Sequence, residues 1–243
     1  MIYGITRVRN EELIIEDTLR HYLKWCDRIL VYDDDSTDRT TEIAKSFKGI
    51  SVLHGSPWSL NRPLEETRHR ALLFNTVKGM GAEWVLCFDA DERLVGKLPD
   101  MKADGYAVPL FDAYMTNYSK IPYQGGILEN TPRMWGPECR PILMLFKATD
   151  NFLYRGLDQR APCVTPGTKV EITQKLFCKH FGKAISIEQW EDTCEYYAAH
   201  FPEPYRTKWN ARRGKALHVL SDYNRRLYGW DHLISRRDVW CGE

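Results

Sequence analysis

Two short apolar runs in this chain stop abruptly in clusters of carboxylates. Ile29-Leu-Val-Tyr32 runs into Asp33-Asp34-Asp35-Ser36-Thr37-Asp38, and Trp84-Val-Leu-Cys-Phe88 runs into Asp89-Ala90-Asp91-Glu92. Both runs are β-prone and read as buried strands. A buried strand that ends in several acids puts negative charge at the carboxyl edge of a sheet, where open α/β folds bind their ligands. Carboxylates crowded there repel one another unless a cation or hydrogen-bond donors compensate. The two clusters therefore suggest a site for a metal and a nucleotide.

The spacing of apolar residues over the first ~100 positions alternates strand and helix. Ile2 to Val8 reads as a strand, and Ile15, Leu19, Tyr22 and Leu23 recur at helical spacing in a helix reaching about Trp25. The strand Ile29–Tyr32 leads to a helix that Ser36, Thr37 or Asp38 can cap. Ser51–His54 reads as a short strand, Leu64 to Lys78 as a helix closed by Gly79 and Gly81, and Trp84–Phe88 as the strand carrying the second acid cluster. This order implies a mostly parallel sheet with right-handed crossovers. Farther on, Tyr106–Leu110, Ile142–Lys147 and Lys175–Phe181 read as strands, separated by long Pro- and Gly-bearing connections such as Tyr123–Pro141. Connections of that length are often functional. After Ser186 the pattern is helical to the end.

Composition narrows the class. With 43% hydrophobic and 28% charged residues, the 243-residue chain is an ordinary globular composition, large enough for one substantial core. No apolar run approaches the ~20 residues that span a bilayer, and no signal peptide is visible. Seven scattered cysteines without a Cys-x-x-Cys argue for reduced thiols in a cytoplasmic setting, against a disulfide scaffold or zinc site. The net charge of +1 is unevenly spread: residues 206–237 hold nine Arg or Lys against two Asp. Trp209, Tyr223, Tyr228 and Trp230 lie among those bases. Such a mixture suits a phosphate-rich partner, whether nucleic acid, an anionic membrane surface or a phosphorylated glycan, and equally suits a solvated helical face with its aromatics turned inward.

With Ile5-Thr-Arg7-Val-Arg9-Asn10-Glu11-Glu12 before them, the two acid clusters resemble glycosyltransferase family 2, inverting nucleotide-sugar enzymes of the GT-A fold. The opening segment looks like that family's first strand and Asn-Glu-Glu turn, the second like its Asp-Asp-x-Ser-x-Asp, and Asp89-Ala90-Asp91 like its metal-binding Asp-x-Asp. The resemblance is specific over roughly the first hundred residues. It implies an α/β, Rossmann-like GT-A sheet flanked by helices: a catalytic domain over 1–185, divided into a nucleotide-sugar half (1–100) and an acceptor half (101–185), and a helical basic extension over 186–243. It also implies transfer of a hexose, from a UDP-sugar, to a hydroxyl acceptor with Mn2+ or Mg2+.

Carried over by position, Asp34 would accept a hydrogen bond from uracil, with Arg7, Arg9, Arg68, Asp89 and Ala90 around the donor. Asp91, Asp89 and His180 would hold the metal. Glu11 and Glu12 fit equally well as the first turn of a helix, where acids suit the dipole. Inversion needs a base beside the acceptor hydroxyl. Related enzymes often carry Gly-x-x-His-Glu or Glu-Asp there. In this chain Tyr154-Arg-Gly-Leu-Asp158-Gln159-Arg160 departs from that pattern and moves the expected base to Asp158, with Glu129 in the long loop as a competitor. A sugar nucleotidyltransferase would need a Gly-rich phosphate loop after the first strand, where this chain has Arg-Val-Arg-Asn-Glu-Glu. A non-catalytic nucleotide-sugar or glycan-binding module of the same fold is the other alternative.

Overall fold

The computed structural model describes residues 1–55, 62–157 and 159–240. Its N-terminal part runs β1 (Ile2–Val8), α1 (Ile15–Tyr22), β2 (Arg28–Asp33), α2 (Thr40–Lys45), β3 (Ile50–His54), α3 (Arg62–Gly79) and β4 (Trp84–Cys87). There follow β5 (Glu92–Gly96), β6 (Gly105–Tyr114), β7 (Met134–Trp135), β8 (Arg140–Lys147), β9 (Phe152–Leu153), β10 (Cys163–Val164), β11 (Val170–Ile172) and β12 (Leu176–His180). The chain closes with α4 (Ile187–His200), α5 (Tyr205–Asn210), α6 (Trp230–Ser235) and α7 (Arg237–Trp240).

Ten strands form one mixed sheet, ordered β3-β2-β1-β4-β8-β6-β12-β5, with β7 and β11 also paired to β6. β1 is parallel to both β2 and β4, and β2 to β3, so each connection must cross over the sheet. The chain leaves β1 in one direction to reach β2 and later returns to β1's other side as β4. That reversal is a topological switch point, with the ends of β1, β2 and β4 at one edge.

Period-two alternation divides the core. Tyr3, Ile5, Leu30, Tyr32, Val85 and Cys87 pack with Leu73, Phe74 and Val77 of α3. On the other face Val8, Ile29, Val31, Leu86 and Phe88 pack with Ile15, Leu19 and Tyr22 of α1. Tyr22 and Phe88 stack with ring centroids 3.5 Å apart. They fit because residue 4 is glycine: a Cβ there would lie 3.0 Å from both Ile29 Cγ1 and a Phe88 ring carbon. α1 ends at Tyr22, three residues short of the expected limit, and α2 begins at Thr40, whose amide donates to Asp38 Oδ1 at 2.9 Å.

The strand expectations hold with shifted ends: β6 runs four residues past Leu110 and β8 starts at Arg140, whereas β4 stops at Cys87 and β12 spans only Leu176–His180. β5 had no signal of its own; it follows the acid cluster at once and is paired by β12. The C-terminal part is helical only in pieces. Residues 211–229 form turns that bridge back to the sheet, Leu217 to Met115 and Tyr228 to Trp135. α4 is capped by Ser186, whose side chain accepts from the Gln189 amide, and it buries Trp190, Cys194 and Ala198 at four-residue spacing. Trp190, Cys194, Leu233 and Trp240 join the same core as α1. Among the described residues no helix is long and apolar enough to cross a membrane, and Cys26, Cys87, Cys139, Cys163, Cys178 and Cys194 are free thiols.

One fully buried cation holds the site's loop to this scaffold. Arg93, at 0% exposure, donates to Asp17 Oδ2 of α1 from Nε at 3.0 Å and Nη2 at 2.8 Å. Its Nη1 donates to the Ala90 carbonyl at 2.9 Å, which the Thr18 hydroxyl also reaches at 2.6 Å. Replacing Arg93 by Met strands Asp17 without its counter-ion. The expected loss is about 3–5 kcal/mol in urea unfolding, and Asp17→Asn/Arg93→Met should lose clearly less than the two single costs summed. Additive costs would show that the pair does not act as a unit.

Candidate active site

Three strand ends bring the carboxylates together. At the ends of β1 and β2, Arg7 Nη2 donates to Asp34 Oδ2 at 2.6 Å, and Arg7 also pairs with Glu66 of α3. Arg9 Nη1 donates to the backbone carbonyls of Asp34 at 2.8 Å and Asp35 at 3.0 Å. Asp34 is 1% exposed. Burial pushes its carboxyl up to about 6 against the pull of Arg7 and Arg9. His69 stacks on Tyr32 at 4.0 Å with Nδ1 3.7 Å from Asp34 Oδ1. Burial, then Arg7, push this imidazole down to about 4, so it is neutral at pH 7.

The Asn-Glu-Glu turn serves as a clasp. Thr37 N donates to Asn10 Oδ1 at 2.8 Å, Glu11 N to the Thr40 hydroxyl at 2.7 Å, and Glu12 N to Asp38 Oδ2 at 3.0 Å. Asn10 and Asp35 both have positive φ, at 52° and 60°, a conformation that Asn and Asp tolerate better than most residues. Burial, with Asp91 and Asp89 nearby, raises the Glu11 carboxyl well above its ordinary range. Glu11 thus faces the second acid cluster rather than a helix dipole.

In that second cluster the strand stops at Cys87, and Asp89 to Glu92 form a turn closed by Glu92 N to Asp89 O at 3.2 Å. The two acids of Asp-x-Asp therefore do not share a face, as continued strand geometry would have them do. Asp89 turns toward two guanidinium groups: Arg70 Nη2 reaches its Oδ1 at 2.7 Å and Arg160 Nε its Oδ2 at 2.8 Å. Burial would raise Asp89, but Arg160 and Arg70 outweigh it and hold the carboxylate well below its ordinary range. Arg160 Nη2 also donates to Glu92 at 2.6 Å.

Asp91 turns the other way. Its Oδ2 lies 3.3 Å from His180 Nε2, and His180 Nδ1 lies 2.6 Å from Asp112 Oδ1. Although burial opposes it, the two carboxylates raise His180 well above the ordinary imidazole value. Gly182 closes over this pair: a Cβ at that position would stand 2.5 Å from Asp91 Oδ2 and 2.8 Å from His180 Nε2.

Most of the expected residues converge here: Arg7, Arg9 and Asp34 on one side of the switch point, Asp89, Ala90, Asp91 and His180 on the other. Arg68 stands exposed on α3; the helix cation that reaches the site is Arg70, 3% exposed and paired to Glu66 at 2.6 Å. The i, i+4 spacing of Glu66 and Arg70 was the signal that could have selected it. Asp158 lies outside the described residues. Its neighbours are anchored beside Asp89, Gln159 N donating to the Thr67 hydroxyl at 3.1 Å and Arg160 to Glu92. Glu129 is engaged elsewhere, with His21 Nδ1 at 3.3 Å and Lys179 Nζ at 3.8 Å. Asp112, Gly182 and Tyr196 carried no local sequence signal. Tyr196, on α4, is pushed up to about 12 by burial, with Arg7, Asp34 and Arg9 also acting on it.

Residues 5–95 match the model of the family described as glycosyl transferase family 2. That stretch is therefore similar to a glycosyltransferase family 2 domain. It contains both acid clusters and the Asn-Glu-Glu turn; His180 and Asp112 lie beyond it. An uncharacterized glycosyltransferase of Rickettsia prowazekii (strain Madrid E) is 26% identical over 198 residues, covering 79% of this chain and 63% of the relative. Its counterpart in Rickettsia typhi (strain ATCC VR-144 / Wilmington) matches to the same extent. The chain thus spans 63% of the length of these curated relatives.

Among solved structures, glucosyl-3-phosphoglycerate synthase from Mycobacterium tuberculosis, in complex with Mn2+, uridine diphosphate and glucosyl-3-phosphoglycerate, is similar at TM-score 0.28. It is 21% identical, over 38% of this chain and 34% of that one. HddC from Yersinia pseudotuberculosis is similar at TM-score 0.39 and 12% identity, over 81% of this chain and all (100%) of that one.

The contact at Gly182 yields a direct test of the geometry. Gly182→Ala must push Asp91 and His180 apart and is expected to cost about 1–3 kcal/mol in denaturant unfolding. Gly79→Ala, at the end of α3 where a Cβ meets nothing within 4 Å, should be neutral or slightly stabilising. Equal effects at the two positions would mean that Asp91 and His180 do not crowd Gly182.

Proposed function

We propose that the protein transfers a hexose from a nucleoside diphosphate sugar, UDP-linked by the resemblance of Asp34, to a hydroxyl acceptor with inversion, assisted by Mn2+ or Mg2+. The observation that carries this reading is the position of Asp91. Asp34 and Asp89 are held by guanidinium groups, whereas Asp91 meets none among the described residues and faces His180 Nε2.

The donor set fits a hard divalent cation: one carboxylate oxygen and one imidazole nitrogen, side by side under the bare Cα of Gly182. Among the described residues no group of three or more His, Cys, Asp or Glu is placed to hold a metal. That suits Mg2+ or Mn2+, which take few protein ligands and leave places for phosphate oxygens and water. When bound, the ion would neutralise the leaving diphosphate. Asp112 fixes the ring: accepting from Nδ1–H, it leaves Nε2 to face Asp91.

On the other side of the switch point, Arg7 and Arg9 hold Asp34 where a nucleobase N–H can donate to it, next to the Tyr32–His69 stack. Arg70 and Arg160 keep Asp89 ionised beside that space for ribose hydroxyls. Asp158 would take the acceptor proton; the anchoring of Gln159 and Arg160 next to Asp89 supports that assignment.

Full-length protein should show a thermal shift with UDP or a UDP-sugar only when Mn2+ is present. Asp91→Asn should abolish both the shift and metal-dependent turnover. A metal-independent shift, or turnover undiminished in excess EDTA, would remove the metal from the reading. Asp158→Asn should keep the shift and lose turnover; normal turnover in it moves the base elsewhere.

Manganese affinity should also depend on pH, with a sign fixed by His180. Between Asp91 and Asp112 this imidazole keeps its proton above its ordinary value, and the cation must displace that proton. Affinity is therefore expected to rise with pH through neutrality and level off above the raised value. Calorimetry in buffers of different ionisation enthalpy should find about one proton released in wild type and none in His180→Gln. Affinity that is flat with pH in wild type would take His180 out of the ligand set.

A further inference from the structure

The other side of the His180–Asp112 pair carries a cluster that the metal and donor do not use. Asp112 accepts from Arg140 Nη2 at 2.7 Å and from Lys183 Nζ at 3.0 Å. Lys183 Nζ also donates to Asp222 Oδ2 at 2.6 Å, which Arg212 Nη2 reaches at 2.7 Å. Three cations, from β8, the segment after β12 and the turn after α5, thus converge on two carboxylates. Exposed Lys208 of α5 lies in their field: lost solvation first, then Arg212, Lys183 and Arg140, hold its ammonium below the ordinary lysine value. Among the described residues Lys208 has no carboxylate partner of its own in a salt bridge.

The exposures arrange the cluster toward solvent. Lys183 and Arg212 are 11% and 18% exposed, whereas the Arg140 side chain is 48% exposed and Lys208 is exposed. Between them lies Tyr114, 1% exposed. Its hydroxyl accepts from the Asp222 amide at 3.2 Å and lies 3.5 Å from Lys183 Nζ. The Tyr114 hydroxyl thus ties Lys183 to the Asp222 turn from the buried side of the cluster. Of the nine bases in residues 206–237, only Lys208 and Arg212 belong to this cluster; the other two cations come from far away in sequence. Arg225, Arg236 and Arg237 are turned to Val239, Asp238 and Gln174.

We infer that this cluster is an acceptor subsite: it holds a phosphate monoester group carried by the hydroxyl compound that receives the sugar. The inference rests on the transfer reading above and names the acceptor's class. Its physical basis is a surplus of positive charge with two guanidinium forks, which match phosphate oxygens. Its place beside Asp112 sets the anion one carboxylate and one imidazole ring from Asp91. An acceptor anchored there by its phosphate presents its hydroxyl to the edge where the donor sugar is expected. Fixing one end of the acceptor in this way reduces the entropy lost in reaching the transition state.

The test uses full-length protein and three probes: glycerol 3-phosphate, glycerol and inorganic phosphate, each titrated calorimetrically with and without saturating UDP and Mn2+. Saturating UDP keeps the probes out of the diphosphate position. Glycerol 3-phosphate is expected to bind and glycerol not to, with affinity falling as salt rises. Lys208→Gln should weaken the ester at least fivefold, Lys208→Arg should stay within twofold of wild type, and UDP affinity should change in neither. No ester binding overturns the inference, as does ester binding indifferent to Lys208→Gln. Inorganic phosphate bound as tightly as the ester also overturns it, because the cluster would then be a simple anion site. Failure of UDP and Mn2+ to bind sinks the donor reading instead, and the ester titrations without UDP still decide this one.

Discussion

The edge of this sheet carries more negative charge than it can hold unaided, and four guanidinium groups decide where it goes. Arg7 takes Asp34, Arg70 and Arg160 take Asp89, and Arg93 takes Asp17 while gripping the Ala90 carbonyl between the two acids of Asp-x-Asp. Ion pairs withdrawn from water bring little net stability, and apolar residues of similar volume would often serve a fold as well or better. The cost of desolvating so many charges is not explained by folding. The proposed transfer accounts for it, since that reaction needs fixed carboxylates at pH 7, with the paired ones held rigid and Asp91 turned toward a histidine.

How that histidine arrives is a matter of register. β12 runs antiparallel to β5, with His180 opposite Glu92, and parallel to β6, with His180 opposite Asp112. Leu176 and Cys178 are buried in the core on the same alternating face as His180. A slip of one residue would bury Lys179 and throw the imidazole to the other side. Packing of two small core side chains therefore fixes the distance from His180 to Asp91, and β6 supplies the carboxylate that orients the ring. The candidate site is assembled by β6 and β12 as much as by the strands that carry the acid clusters.

What could be read in the sequence follows from how local the determinants are. β1 to β4, the crossover helices and both acid clusters are written in contiguous patterns, and the strand ends fell where Asp33 and Asp89 predicted a sheet edge. His180 was readable as a strand-end residue before glycine. Arg68 was selected by its position in a resemblance, whereas α3's helical phase brings Arg70 inward. Asp112 sits in an otherwise apolar strand and gains meaning only when β12 pairs beside it. Residues 211–229 read as helical because their bases and aromatics are spaced like a helix face. They bridge to Met115 and Trp135 instead, because those strands offer unpaired backbone groups that must be satisfied.

The C-terminal segment, expected as an extension, takes part in the core. Trp190 and Trp240 are buried in the same cluster as α1. Arg212 lies over Trp209 at 4.8 Å while pairing with Asp222, so this base is fixed in place by the protein rather than swinging free in solvent. Tyr196 on α4 feels the charges of Arg7 and Asp34. Segments far in sequence from Asp-x-Asp are therefore packed into the same core that holds Leu86 and Phe88 of its strand run, so undocking them would loosen the strand that leads into those acids.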